Sequence, residues 1–189
     1  TSLTIYHSNI YLNIYIMLLN LTGGIGILVW GDIRTHKHRI RRFSLQSKVV
    51  LMTSAVLIVL PALYFFFYEY NHETIHDRTI HSLFQSVTTR TAGFNTTDLA
   101  AMDESGTAIM IILMLIGGSP GSTAGGMKTV TFAVLFLSAI TVLRRRNDVQ
   151  CFIRRISNET VCSAGAVLFM YLVLFFTSGI IISRVENLP

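Results

Sequence analysis

Apolar residues in this sequence gather into long uncharged runs that recur along the whole chain, separated by short polar and charged connections. Runs that approach or exceed the ~20 residues needed to cross a bilayer predict an all-α integral membrane protein. Ile10 to Trp30 is uncharged and long enough to span. Its Asn13, Asn20 and Gly23-Gly24 suit a face packed on other helices or on a wet pore. Val49 to Tyr68 is the clearest transmembrane helix, with a kink expected at Pro61 that neighbouring helices absorb. Val161 to Ser183 is the last such run.

Two stretches do not fit a plain crossing. Thr79 to Thr89 places Ile80, Leu83, Phe84 and Val87 at helical spacing and runs into Thr91-Ala92-Gly93-Phe94-Asn95. At about 1.5 Å per residue it covers only about half the hydrocarbon thickness, so it reads as a re-entrant helix. From Ser105 to Val142 a continuous helix would run about 57 Å, nearly twice the membrane core, so it must break or divide.

Charge says which. The net charge of +5 gathers in two connections, one holding Arg34, Lys37, Arg39, Arg41, Arg42 and Lys48, the other Arg144, Arg145, Arg146, Arg154 and Arg155. Clustering of this kind marks cytoplasmic loops, not a nucleic-acid surface. The segment from Glu69 to Arg78, with Glu69, Glu73 and Asp77, fits the outer side. An even number of crossings must separate the two basic connections, and Val49 to Tyr68 is one. Ser105 to Val142 therefore crosses once, as two helical pieces joined by Gly117-Gly118-Ser119-Pro120-Gly121-Ser122-Thr123-Ala124-Gly125-Gly126.

The expected organisation is a return helix over 1–31, a basic connection over 32–48 and a complete helix–pore loop–helix unit over 49–146. That unit has a filter loop at 90–96 and an intramembrane gate loop at 117–127. A second connection over 147–160 and the first helix of a next unit over 161–189 follow. Composition agrees, since 51% of residues are apolar and 13% charged, too few charges for a soluble surface and too much hydrophobicity for disorder. The chain opens without Met and without a charged leader region, the expectation for a start inside a longer protein. Cys151 and Cys162 have no metal or redox spacing, and the scattered His36, His38, His72, His76 and His81 suggest solvated loops.

The polar loops carry the chemistry. A dehydrated cation needs several oxygen ligands at close range, and backbone carbonyls supply them without fixed charge. A short helix ending at the ion adds roughly half a negative charge, and Gly93 permits angles that turn successive carbonyls to one axis. Thr91, Ala92, Gly93, Phe94 and Asn95 are the candidate filter residues. A surface turn is the commoner reading of such residues in isolation; the half-length helix before them and the span after them weigh against it. Arg90 is out of character, because a cation there opposes cation entry unless it points away and pairs with an acid.

The second loop, Gly117 to Gly126 with Lys128 just beyond it, nearly spells a phosphate-binding loop, but Met127 interrupts the pattern and no strand precedes it. An ionisable Lys128 inside a span argues against an inert linker. The loop is expected to swing between blocking and open positions, with Ser and Thr hydroxyls and Lys128 holding the blocking one. Three Asn-x-Ser/Thr matches, at Asn20, Asn95 and Asn158, fall in a span, the filter and a cytoplasmic connection, and are read as chance.

Ser86-Val-Thr-Thr-Arg-Thr-Ala-Gly-Phe-Asn-Thr96 and Gly117-Gly-Ser-Pro-Gly-Ser-Thr-Ala-Gly-Gly-Met-Lys-Thr129, in this order and at this distance, resemble the third pore unit of the Trk/Ktr/HKT potassium transporters, and among them the KtrB (NtpJ) type. The resemblance implies four covalently linked helix–pore–helix units around one pore, a glycine in each filter and a gating intramembrane loop in the third. It also implies a homodimer of pore subunits on a cytoplasmic ring of nucleotide-binding regulatory subunits of the KtrA/TrkA type. The expected function is potassium uptake across the cytoplasmic membrane, passive or sodium-coupled, with no enzyme activity and no cofactor beyond the transported ion. Only the end of one unit, one whole unit and the start of another are present, so this stretch alone is not expected to conduct. The competing reading is a membrane scaffold or assembly fragment without transport of its own.

Overall fold

The computed structural model describes residues 9–37, 39–90, 93–95, 102–145, 148–152 and 154–185. Among them the chain forms seven α-helices: α1 Ile10–Ile25, α2 Ile27–His36, α3 Leu45–Tyr64, α4 Ile75–Thr88, α5 Glu104–Leu115, α6 Thr129–Leu143 and α7 Asn158–Val185. They divide into two compact units, residues 1–130 and 131–189.

In the first unit, α4 lies against both α3 and α1, and α2 lies against α3. α3 continues through Pro61 and widens into a π turn over Phe65–Glu69, where Tyr70 N donates to Phe65 O. Together they make a 25-residue apolar element, long enough to cross a bilayer. Its start is fixed from outside the helix. Ser44 Oγ accepts from Ser47 N, while Ser44 N and Oγ both donate to Asp32 Oδ2, at 2.9 and 2.7 Å. Asp32 thus ties the end of α2 to the N-terminus of α3, and Lys48 Nζ, donating to Arg41 O, folds the basic connection back on itself.

The run from Ile10 to Trp30 is not one helix. α1 stops at Ile25, and α2 leaves it at 91°. Gly26 has φ +85° and ψ 154°, outside helical space, and Ile27 N donates to Gly121 O instead of to an intrahelical carbonyl. Across the bend, Trp30 Nε1 donates to Thr22 O, one of the carbonyls that α1 leaves open at its end. The expected single return helix is therefore corrected to a bent pair.

α5 and α6, of 12 and 15 residues, are each too short to cross alone. In the second unit α7 runs 28 residues, is apolar on all sides and is long enough to span. A two-stranded antiparallel hairpin, β1 Gln150–Cys151 with β2 Arg154–Arg155, is an exception to the all-helical expectation. It is closed by an Asp148–Arg155 ion pair and by Ile156 N donating to Val149 O. Burial there pushes the Cys151 thiol above its ordinary pKa, which suits an inert side chain.

Candidate functional site

α4 is built to be surrounded by protein. Its first turn is fixed by a reciprocal cap, in which Thr74 Oγ1 accepts from Asp77 N and donates to Asp77 Oδ2. From Ile80 to Thr88 every residue but Leu83 is buried, including Ser82, Gln85, Ser86 and Thr88. Such polar groups survive burial only when paired. Ser82 Oγ donates to Thr79 O at 3.1 Å, Gln85 Nε2 to Met110 Sδ on α5 at 3.0 Å, and Ser86 Oγ to Ile58 O on α3 at 2.6 Å. Fourteen residues give a helix of about 21 Å, well short of the ~30 Å hydrocarbon core. α4 therefore ends inside the protein, with its negative C-terminal pole at the loop that follows.

Thr88 shapes that loop. Its Oγ1 donates to Phe94 O at 2.8 Å and accepts from Phe94 N at 3.2 Å, while its carbonyl accepts from Gly93 N at 3.3 Å. One hydroxyl thus holds both backbone groups of Phe94. Gly93 stands between them at φ +66°, a conformation that costs an L residue about 1–2 kcal/mol. Of the expected filter residues, Gly93, Phe94 and Asn95 are placed here; Thr91 and Ala92 lie outside the described residues. One lone pair of the Phe94 carbonyl is already occupied by Thr88. Thr88→Val keeps the shape and removes both hydroxyl bonds, leaving the Phe94 N–H without this acceptor. We expect it to loosen the loop by about 1–3 kcal/mol, measured as faster hydrogen exchange at the Phe94 amide.

Arg90 reaches toward α3 and the second loop. Its Nη2 donates to Ser54 Oγ at 3.3 Å and, more weakly, to Gly117 O at 3.5 Å. Its partners are a hydroxyl and a carbonyl, not the acid the sequence seemed to require. Asn20, Gly24, Ser54, Ile58, Arg90 and Gly118 are among the residues lining a cavity of about 30 Å³, room for a water molecule. Asn20 Nδ2 and Arg90 Nε, both buried, have no hydrogen-bond partner among the described residues.

The stretch between α5 and α6 forms a closed loop with its ends side by side. Met127 N donates to Leu115 O at 3.1 Å, Gly117 N to Met127 O at 2.9 Å and Thr129 N to Gly118 O at 3.1 Å. Glycine is required at this neck: a Cβ on Gly117 would lie 1.6 Å from Gly125 O, and Gly126 has φ +73°. Inside the loop, Ser122 Oγ donates to Ser119 O at 2.7 Å and Lys128 Nζ to Ala124 O at 2.7 Å. Lys128 therefore folds its charge back onto the loop's own backbone.

The loop is seated on the bend between α1 and α2. Ser119 N donates to Gly24 O at 3.1 Å, and the Ser119 hydroxyl lies within bonding reach of both Gly24 O, at 2.7 Å, and Ile25 O. Gly121 O accepts from Ile27 N at 3.2 Å. Sequence reasoning assigned Gly23-Gly24 to helix packing and missed this seat. The one available signal was the density of glycine at Gly23, Gly24 and Gly26 near the end of an apolar run. It also missed Thr88, whose role depends on a hydrogen bond six residues ahead.

Comparison with known proteins gives one family. Residues 1–188 match the family model TrkH, described as a cation transport protein. The potassium/sodium uptake protein NtpJ of Enterococcus hirae is 33% identical over all of this chain and 43% of its own length. The Ktr system potassium uptake protein B of Bacillus subtilis is 35% identical over 94% of this chain and 41% of its own length. The crystal structure of the potassium transporter TrkH from Vibrio parahaemolyticus superposes with a TM-score of 0.77 at 18% identity, over 93% of this chain and 40% of that one. The chain thus spans about two fifths of the length of the relatives it matches.

Proposed function

The chain belongs to the TrkH family of cation transport proteins, an integral membrane family and not an enzyme family, and on that premise we propose that it forms part of the pore subunit of a potassium-uptake system in the cytoplasmic membrane. The observation that carries this reading is α4: a helix about two thirds as long as the hydrocarbon core is thick, buried with its polar residues paired, ending on a loop that turns at positive φ on Gly93. Irregular backbone at that depth is tolerated where protein or a water-filled path surrounds it. The backbone oxygens of Thr91, Ala92, Gly93 and Phe94, with Asn95 beside them, replace part of a potassium ion's water shell. One such loop contacts an ion from one side only, so conduction requires the three further loops of a complete pore. The names of relatives as potassium and potassium/sodium uptake proteins support potassium as the cargo, with sodium passive or coupled.

Below the filter, the loop from Gly117 to Lys128 is the gate. The basic connections at Arg34–Lys48 and Arg144–Arg155 face the cytoplasm, where they meet anionic lipid and a nucleotide-binding regulatory ring under a homodimer of pore subunits. The test is the complete reading frame expressed in cells lacking other potassium uptake: restored uptake at low external potassium supports the reading, and assembled protein that moves no potassium contradicts it.

Topology gives an independent check. In a background with Cys151 and Cys162 replaced by serine, cysteines at the exposed positions Arg39 and Arg144 should react with impermeant reagents only from the cytoplasmic side. One at exposed His72 should react only from outside. Labelling of Arg144→Cys from outside would remove the single broken crossing on which the gate's placement depends.

A further inference from the structure

We propose that Ser119 is the latch of the intramembrane loop and that the bend between α1 and α2 is its catch; the inference deepens the gating role proposed above and rests on it. A helix leaves its last four carbonyls without intrahelical donors. For α1 these are Thr22, Gly23, Gly24 and Ile25. Trp30 Nε1 takes the Thr22 carbonyl, and the backbone N–H and hydroxyl of Ser119 take those of Gly24 and Ile25. The loop is thereby the donor that completes the end of another helix. The exchange is reciprocal, because Gly26, by leaving helical space at φ +85°, frees Ile27 N for Gly121 O.

The catch has no room for a side chain. A Cβ on Gly26 would meet Pro120 O at 2.6 Å and Ser119 Oγ at 2.7 Å, and one on Gly118 would meet Gly24 O at 3.2 Å. Ser119 itself is fully buried. Away from water, opening the contact leaves two carbonyls and a hydroxyl unpaired, so the seated state is favoured until water enters. That gives two discrete states and not a continuum. α2 is the lever: it starts at the catch and carries Asp32, whose clasp on Ser44 lies beside the basic connection. A force on that connection reaches the latch through the six residues of helix from Ile27 to Asp32.

The test reads the loop's position directly. In the complete protein without native cysteines, Thr123→Cys, at an exposed position in the loop, is labelled from the cytoplasmic side with a thiol reagent. Ser119→Ala is expected to raise the labelling rate about fivefold, the effect of losing one neutral hydrogen bond. Gly26→Ala, which spoils the catch from the other side, should raise it as well, and potassium flux should rise with both. Ser119→Ala and Gly26→Ala proteins that assemble normally and label at the parent rate would overturn the proposal; if the first does not assemble, the second reads the same contact alone. Potassium flux of the parent protein separates the two levels: its absence defeats the transport reading, while the labelling rates still decide the latch.

Discussion

Removal of Ser119 to Gly125 from the complete transporter is expected to raise potassium flux on the order of tenfold and to make it less dependent on the proposed cytoplasmic partner. The deleted segment contributes the Ser119 bonds to Gly24 and Ile25, the Gly121 carbonyl that receives Ile27 N and the Ala124 carbonyl that receives Lys128 Nζ. If each is worth about 1 kcal/mol net, losing more than one of them shifts a closed–open balance by tenfold or more. The deletion is structurally mild, because Gly117 and Gly126 already touch and Gly117 N already donates to Met127 O. The two glycines left at the join, Gly118 and Gly126, let the chain reverse. Discrimination against sodium should stay nearly intact, since Thr88 fixes Phe94 without using the deleted residues. The measurement is flux into vesicles with and without the partner, on protein shown to assemble. A well-assembled deletion whose flux fell, or stayed equally dependent on the partner, would remove the loop from the gate.

Gly93→Ser is the second change with a large expected effect, and it follows from the backbone angles expected of Gly93 on sequence grounds. Among the described residues a Cβ at Gly93 meets nothing within 4 Å. The penalty lies in the backbone: at φ +66° a serine costs about 1–2 kcal/mol more than glycine. The loop relieves it by rotating the peptides on either side, and those peptides carry the carbonyls proposed to face the ion. Gly93→Ala should therefore behave like Gly93→Ser, since the hydroxyl is not the cause. Potassium preference over sodium should fall by about tenfold, equivalent to the middle of that range of strain.

What could be read in advance followed from length and charge. α4 was legible because a short helical pattern ends on Thr-Ala-Gly-Phe-Asn, and the break between α5 and α6 because glycine and proline crowd the middle of an apolar stretch. Parity of the basic connections then gives the expectation of one crossing around that break, which the cysteine labelling tests. The bend at Gly26 was not legible, because Gly23, Gly24 and Gly26 lie in a run otherwise apolar enough to continue, and glycine costs a helix only about 1 kcal/mol against alanine. What decides it is Ser119, more than ninety residues away in the chain, competing for the carbonyls of Gly24 and Ile25. Arg90 was legible as an anomaly but not in its solution, since Ser54 and Gly117 become neighbours only after α3, α4 and the loop pack together. Nor did the connection from Glu69 to Arg78 announce that Glu73 pairs with His81 on α4 at 2.7 Å.

The central claim is that backbone carbonyls around Gly93 choose the ion. It is tested most directly by the ratio of potassium to sodium flux into vesicles carrying the complete protein, native and Gly93→Ser side by side at equal assembled amounts. The account predicts a native ratio well above one that falls by about tenfold in the variant while the variant still conducts. An unchanged ratio, with unchanged potassium affinity, would contradict it.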